Sequence, residues 1–184
     1  LRQSLSLAKE KGLYNCSYLA KQLKVLEEVK FDKKGWTGVI YLALSEIYEY
    51  LGSDKTEYCM LKAYGAFIKE GLDILAGNSA RKIADLYEKS GNFGSSVTQH
   101  LIAAMHFISA ANFITERMDI KIKLSKEASA AYSAASKISW KIGRHEEALS
   151  SRLQARKADQ EAKSIKVHLE DVKVQTAKQE FKQE

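Results

Sequence analysis

Apolar residues in this chain recur at spacings of three and four, and polar residues fill the positions between them. In 94–117, Val97, Leu101, Ala104, Ile108 and Ala111 form one stripe, and Ala103, Phe107, Ala110 and Ile114 form a second beside it. A helix apolar on two adjacent faces packs on both sides, the position of a central helix in a stack. Ala80, Ile83, Leu86 and Tyr87 share a face of 79–90. Leu124, Ala128, Ala131, Ala135, Ile138 and Ile142 share a face of 119–142, where Ser129, Ala130, Ser133, Ala134 and Ser136 suit close helix approach. Nothing alternates with period two between turn signals, so strands have no support. On this pattern residues 36, 83, 87, 101, 104 and 108 belong to helices, and Ile83, Tyr87, Leu101, Ala104 and Ile108 are expected in the core.

The segments fall into four antiparallel pairs, eight helices in all: 1–31, 36–75, 79–117 and 119–180. Turns centred on Gly12, Gly52, Gly91 and Gly143 divide the pairs internally. Phe31–Gly35 closes the first pair and Ala76-Gly77-Asn78-Ser79 the second, with Gly71 a soft spot inside the helix 54–75. The four glycines lie 40, 39 and 52 residues apart. Self-similarity on this scale marks stacked repeats, in which no single repeat buries its own apolar face. The fold expected is therefore all-α, one helical-repeat domain over 1–184.

The last helix carries Ala155, Ala158, Ala162, Ile165, Leu169 and Val172 in strict 3/4 spacing, a narrow heptad seam between Lys, Glu, Gln and Asp. Two readings stand. It folds along the stack as a polar-faced cap, or 160–184 projects and pairs with a partner helix or a second copy. Ile165, Leu169 and Val172 are the contact residues of the projecting reading. Tyrosines recur at inter-helix positions, where core packing with the hydroxyl at the rim accounts for most of them. Trp36, Tyr41 and Tyr48 are the candidates for a concave peptide groove.

Composition agrees with long helices. The chain has no proline, where average usage would place about nine, so nothing interrupts a helix in that way. The formal charge is +6. Residues 1–35 hold eight Lys/Arg against four Asp/Glu, and the rest of the chain is nearly balanced. Lys21, Lys24, Lys30, Lys33 and Lys34 make this end mildly electropositive, the basis for an alternative reading as an RNA- or acidic-surface-binding module. That alternative is the weaker one, because no aromatic-basic stacking platform accompanies the lysines. Nucleic acid is thus not the expected partner.

Cys16 and Cys59 stand 43 residues apart, with no CxxC. They read as buried reduced thiols, pointing to a reducing, cytoplasmic setting. No run approaches a transmembrane span. The chain begins at Leu1 without Met, as expected for a piece of a longer protein, so a missing targeting segment carries no information.

No catalytic motif is legible. His100 and His106 are six residues apart and do not share a helix face as a metal pair would. His145 precedes Glu146 and Glu147, an ordinary helix start, and His168 lies on the polar final helix. Glu27/Glu28 and Glu46/Glu49 read as solvated helix faces. There is no H-E-x-x-H, phosphate loop or nucleophile elbow, so neither enzyme chemistry nor a cofactor is expected.

Aligning the glycines sets Ala80, Ile83, Ala84, Tyr87, Gly91, Phe93, Ser96, Val97, His100 and Ala103 beside Tyr132, Ala135, Ser136, Gly143, His145, Ala148, Leu149 and Ala155, and beside Tyr41, Leu44, Ser45, Tyr48, Gly52, Leu61 and Tyr64. Small residues at the helix crossing, large ones around it and a glycine turn between resemble the tetratricopeptide pattern. The period nearer 40, the long helices and the missing closing proline are more similar to longer-helix relatives such as the SNAP-type vesicle-fusion adaptors. The resemblance implies a TPR-like α-solenoid and a non-enzymatic adaptor that binds a peptide or helical segment of a partner protein, in vesicle trafficking or complex assembly.

Overall fold

A computed structural model describes residues 34–180. The expected pair 1–31, with the Gly12 turn, Cys16, Lys21, Lys24, Lys30 and Lys33, lies outside the described residues. Among those described there are six α-helices and no strand: α1 (Trp36–Tyr50), α2 (Lys55–Lys69), α3 (Asp73–Lys89), α4 (Phe93–Phe113), α5 (Met118–Lys141) and α6 (His145–Glu180). None is long and apolar enough to cross a membrane. The chain divides into two compact units, Leu1–Leu86 and Tyr87–Glu184.

Four helices end in the same way. At Gly52, Gly71, Gly91 and Gly143 the backbone turns left-handed, with φ of 64°, 67°, 77° and 78°. After each glycine the next N–H reaches back to the carbonyl five residues earlier, as in Ser53 to Tyr48 at 2.9 Å and Arg144 to Ser139 at 2.8 Å. The glycine's own N–H bonds three residues back, as in Gly52 to Glu49 at 3.1 Å. This is the Schellman arrangement, which satisfies carbonyls the helix end would otherwise leave open and requires the positive φ that glycine adopts without strain. The turns at Gly52, Gly91 and Gly143 are those the repeat predicts.

The boundary after α2 differs from the sequence expectation. Gly71 is not inside a helix but is the stop, and Leu72 after it packs with Phe67, the apolar contact that accompanies such a cap. Ala76, Gly77 and Ser79 are not a turn but the buried face of α3, where the Ser79 Oγ donates to the Leu75 carbonyl at 2.9 Å. A glycine without a side chain serves packing there as well as a turn would.

In the first unit, Ile40, Leu44 and Ile47 of α1 meet Cys59 of α2. Ala63 and Phe67 of α2 meet Ala76 of α3, with Tyr41, Leu42, Tyr64, Leu72 and Leu75 packed around them. The fully buried Phe67 ring lies over Gly38, where an added Cβ would come within 2.3 Å of it. Gly38 is thus the notch that lets α1 and α2 approach. Glu46 is not a purely solvated carboxylate, for it pairs with Lys82 of α3 at 2.7 Å. The Gly35 N–H donates to the Glu70 carboxylate, tying the start of α1 to the end of α2.

The second unit uses smaller residues. Val97 of α4 packs with Ala135 and Ile138 of α5, flanked by Phe93, Leu101 and Ile142. Beyond them the buried positions include Phe107 and Leu124, the His100 side chain, and a larger number of alanines: Ala103, Ala104, Ala110 and Ala111 of α4, Ala128 and Ala131 of α5, and Ala148, Ala155, Ala158 and Ala162 of α6. Of the expected core, Ile83 and Ala104 are fully buried, whereas Tyr87, Leu101 and Ile108 are half-buried. Both stripes of α4 are buried, the first through Val97, Ala104 and Ala111 and the second through Ala103, Phe107 and Ala110. At the start of α5, Arg117 forks onto Asp119 through bonds of 3.1 and 3.0 Å.

Candidate functional site

Helices α5 and α6 run antiparallel across the Gly143 turn, and small residues hold them close. The Ser136 Oγ donates to the Ala148 carbonyl at 2.7 Å, and the Ser139 Oγ to Glu147 at 3.3 Å. Arg144 sits 3.5 Å from the same Glu147 carboxylate, which is therefore engaged at the turn. On the outer side the two helices leave a groove of about 500 Å³, lined by Ser133, Ser136, Lys137 and Trp140 of α5 and by Ala148, Leu149 and Arg152 of α6.

Its floor is small and its rim is large. Trp140 is 58% exposed and Leu149 57%, and Leu153, one turn beyond Leu149, is 53% exposed. Three large apolar side chains facing solvent beside one groove form a patch of the kind that marks an interaction site. The His145 ring meets Trp140 edge-on at 4.6 Å, bracing the indole at the turn end. The only charged residues lining the groove are the cations Lys137 and Arg152. The lining holds no carboxylate, thiol or imidazole, and no cluster able to hold a metal occurs among the described residues. This chemistry suits seating a side chain and pairing with an anion. Elsewhere, burial pushes the phenols of Tyr64 and Tyr132 above their usual value, so neither adds charge near neutral pH.

The residues singled out in the sequence lie elsewhere. Tyr41 and Tyr48, two turns apart on α1, pack against the core of the first unit, and the Lys55 ammonium lies 5.8 Å above the Tyr48 ring. Trp36 is 49% exposed, with the exposed Val39 one turn on. Lys34 is exposed and is the one member of the basic group within the described residues.

Ile165 and Leu169 are half-buried and Val172 is exposed. Since Ser136 meets Ala148, the level of Met118, where α5 begins, is reached near residue 166 of α6. The remainder to Glu180 overhangs by about 22 Å at the helical rise, and residues 170–176 are all exposed. Lys166, His168 and Lys173 border the apolar edge. Lys166 also pairs with Glu170 on the same helix at 3.7 Å.

Sequence reasoning missed Trp140, Lys137 and Arg152, and it set Leu149 among the packing positions of the fourth repeat, whereas its side chain faces solvent. A signal was present, since Trp140 falls out of phase with the inward Ile138 and Ile142, and Leu149 with the inward Ala148 and Ala155. Two large apolar side chains turned outward on either side of one glycine turn mark the groove. No family model matches the chain, and no curated protein sequence matches it. The functional reading rests on these residues.

Proposed function

We propose that the protein is a non-enzymatic helical scaffold whose α5–α6 groove binds a peptide or helical segment of a partner protein. The observation that carries this reading is the exposed pair Trp140 and Leu149 lining a groove floored by serine and alanine, with the exposed Leu153 one turn beyond Leu149. Aromatic and aliphatic anchors in such a setting supply most of the affinity at protein interfaces. The four like-built glycine turns support the TPR-like repeat, and with it a stacked α-solenoid of about eight helices. An adaptor role in trafficking or complex assembly in the cytoplasm follows from that resemblance.

Photo-cross-linking in cells tests the binding role. A photoreactive side chain at Leu149 and one at Ser133 should capture the same protein, and Trp140→Ala should abolish both adducts. A photoreactive side chain at the exposed Thr98 of α4 should not capture it. Equal labelling from Thr98, or adducts that survive Trp140→Ala, would remove the groove from the binding role.

A further inference from the structure

The groove's charge is one-sided. Lys137 and Arg152 line it without a carboxylate among the lining residues. Arg156, one turn beyond Arg152, is exposed and continues the basic edge. At the turn, Glu147 is taken up by Ser139 and Arg144, and Glu146 beside it is exposed and does not line the groove. Ion pairs of the kind seen elsewhere on the surface, such as Lys163 with Asp159 at 2.7 Å, do not form at Lys137 or Arg152. Cations beside an apolar seat are satisfied by anions that the occupant brings.

From this we infer that the groove selects an acidic amphipathic segment of a partner protein. One apolar side chain of the segment seats between Trp140 and Leu149, and carboxylates on its flanks meet Lys137 and Arg152. The inference rests on the reading of the groove as a protein-binding site and adds the chemistry of the occupant. Arg152 can hold a carboxylate through two parallel N–H donors, while Lys137 acts as a point charge with freedom to follow the partner. Charge complementarity of this kind contributes specificity and association rate, and the apolar seat contributes lifetime of the complex. A single-stranded nucleic acid fits less well. It calls for a track of cations along its backbone and successive stacking faces, whereas the lining offers two cations and a single indole.

The test uses the full chain and three fluorescent probes. The first is a helical peptide of about 15 residues, roughly four turns, with leucines at i, i+3, i+4 and i+7 and glutamates on both flanks. The second is its lysine-flanked twin, and the third a single-stranded oligouridine of similar length. Affinity is read by anisotropy, and occupancy of the groove by the NMR signal of the Trp140 indole N–H. The acidic peptide should bind at least about tenfold tighter than the basic one at low salt, and the gap should narrow as salt screens the charges. The double variant Lys137→Glu with Arg152→Glu should reverse the preference, while Trp140→Ala should weaken both peptides alike. All three positions are exposed, and far-UV circular dichroism checks that each variant folds. Equal affinity for the two peptides, with both shifting the Trp140 signal, overturns the charge selectivity and leaves the groove a protein-binding site. Tighter binding of the oligouridine, or no shift of the Trp140 signal by either peptide, overturns the inference outright. The photo-cross-linking result then decides separately whether the protein-binding reading survives.

Discussion

Among the described residues, the interior of the first unit gathers around Ile40, Leu44, Ile47, Ile83 and a Phe67 ring fitted to a notch, whereas that of the second sets Val97, Phe107 and Leu124 among rows of alanine and serine. Phe67 over Gly38 is the extreme of the first kind. Ala128, Ala131, Ala135, Ala155, Ala158 and Ala162 are the second kind, a seam in which almost no side chain separates the helices. The difference teaches where each unit is vulnerable. Large buried rings stabilise through the area they remove from water and leave cavities when truncated. An alanine seam stabilises through close approach and has no room for growth. On its outer side Trp140, Leu149 and Leu153 stand exposed.

The largest expected effect breaks the first kind of interior. Phe67→Ala should cost about 3–5 kcal/mol in denaturant unfolding. Gly38→Ala, which only adds a methyl, should also destabilise because the new Cβ meets the ring. The pair Gly38→Ala with Phe67→Leu should recover part of that loss. A cost for Phe67→Ala below about 1 kcal/mol, the scale of ordinary surface changes, would mean that the notch is not the centre of that unit.

The second kind should respond in the opposite sense. Ala135→Leu should cost about 1–3 kcal/mol by overpacking, in a position where Ala135 touches Val97 and Ile138. If leucine is accepted without loss of stability, the seam is looser than described and the contrast between the units fails. Smaller still is the effect of ending the chain after Ser164. Losing the half-buried Ile165 and Leu169 should lower stability by about 1 kcal/mol, with a cooperative thermal transition retained. A chain that unfolds or precipitates on this truncation would show the overhang to be a cap on the fold.

The smallest effect is at Asp119. The hydrogen bond from Arg117, more than the charge itself, holds its carboxyl below the usual carboxylate value. Its contribution is present above the ordinary carboxylate pKa and is lost as pH falls through the lowered folded value. A carbon-detected titration should show Asp119 releasing its proton below the ordinary carboxylate value. Arg117→Ala should raise that midpoint, and an unchanged midpoint would remove the fork as the cause.

Much of this fold was legible in the sequence. Gly52, Gly91 and Gly143 were readable as turns because each follows a helix-length periodic segment and precedes another. Gly71 was misread because leucine follows it, and an apolar residue there looks like a helix continuing when it is the cap's hydrophobic contact. Gly77 was misread in the reverse direction, since Gly-Asn-Ser is turn composition and only the packing of Ala76 and Ser79 against neighbours makes it helix. The two apolar stripes of α4 were legible, but periodicity does not rank positions within a stripe, and Leu101 and Ile108 are only half-buried. The groove was hidden for a different reason. Its walls come from two helices, and each contributes residues just off its own buried stripe, which a reading of one helix at a time assigns to solvent.

The claim that the outer edge of the alanine seam is a binding surface and not part of the fold is tested most directly by Leu149→Asp. Unfolding free energy and affinity for the leucine-bearing acidic peptide are measured on the same preparation. Stability should stay within about 0.5 kcal/mol of the parent, while affinity should fall at least about tenfold, since a carboxylate then occupies the apolar seat beside Lys137 and Arg152. Stability lost together with affinity, or affinity unchanged, would contradict the account.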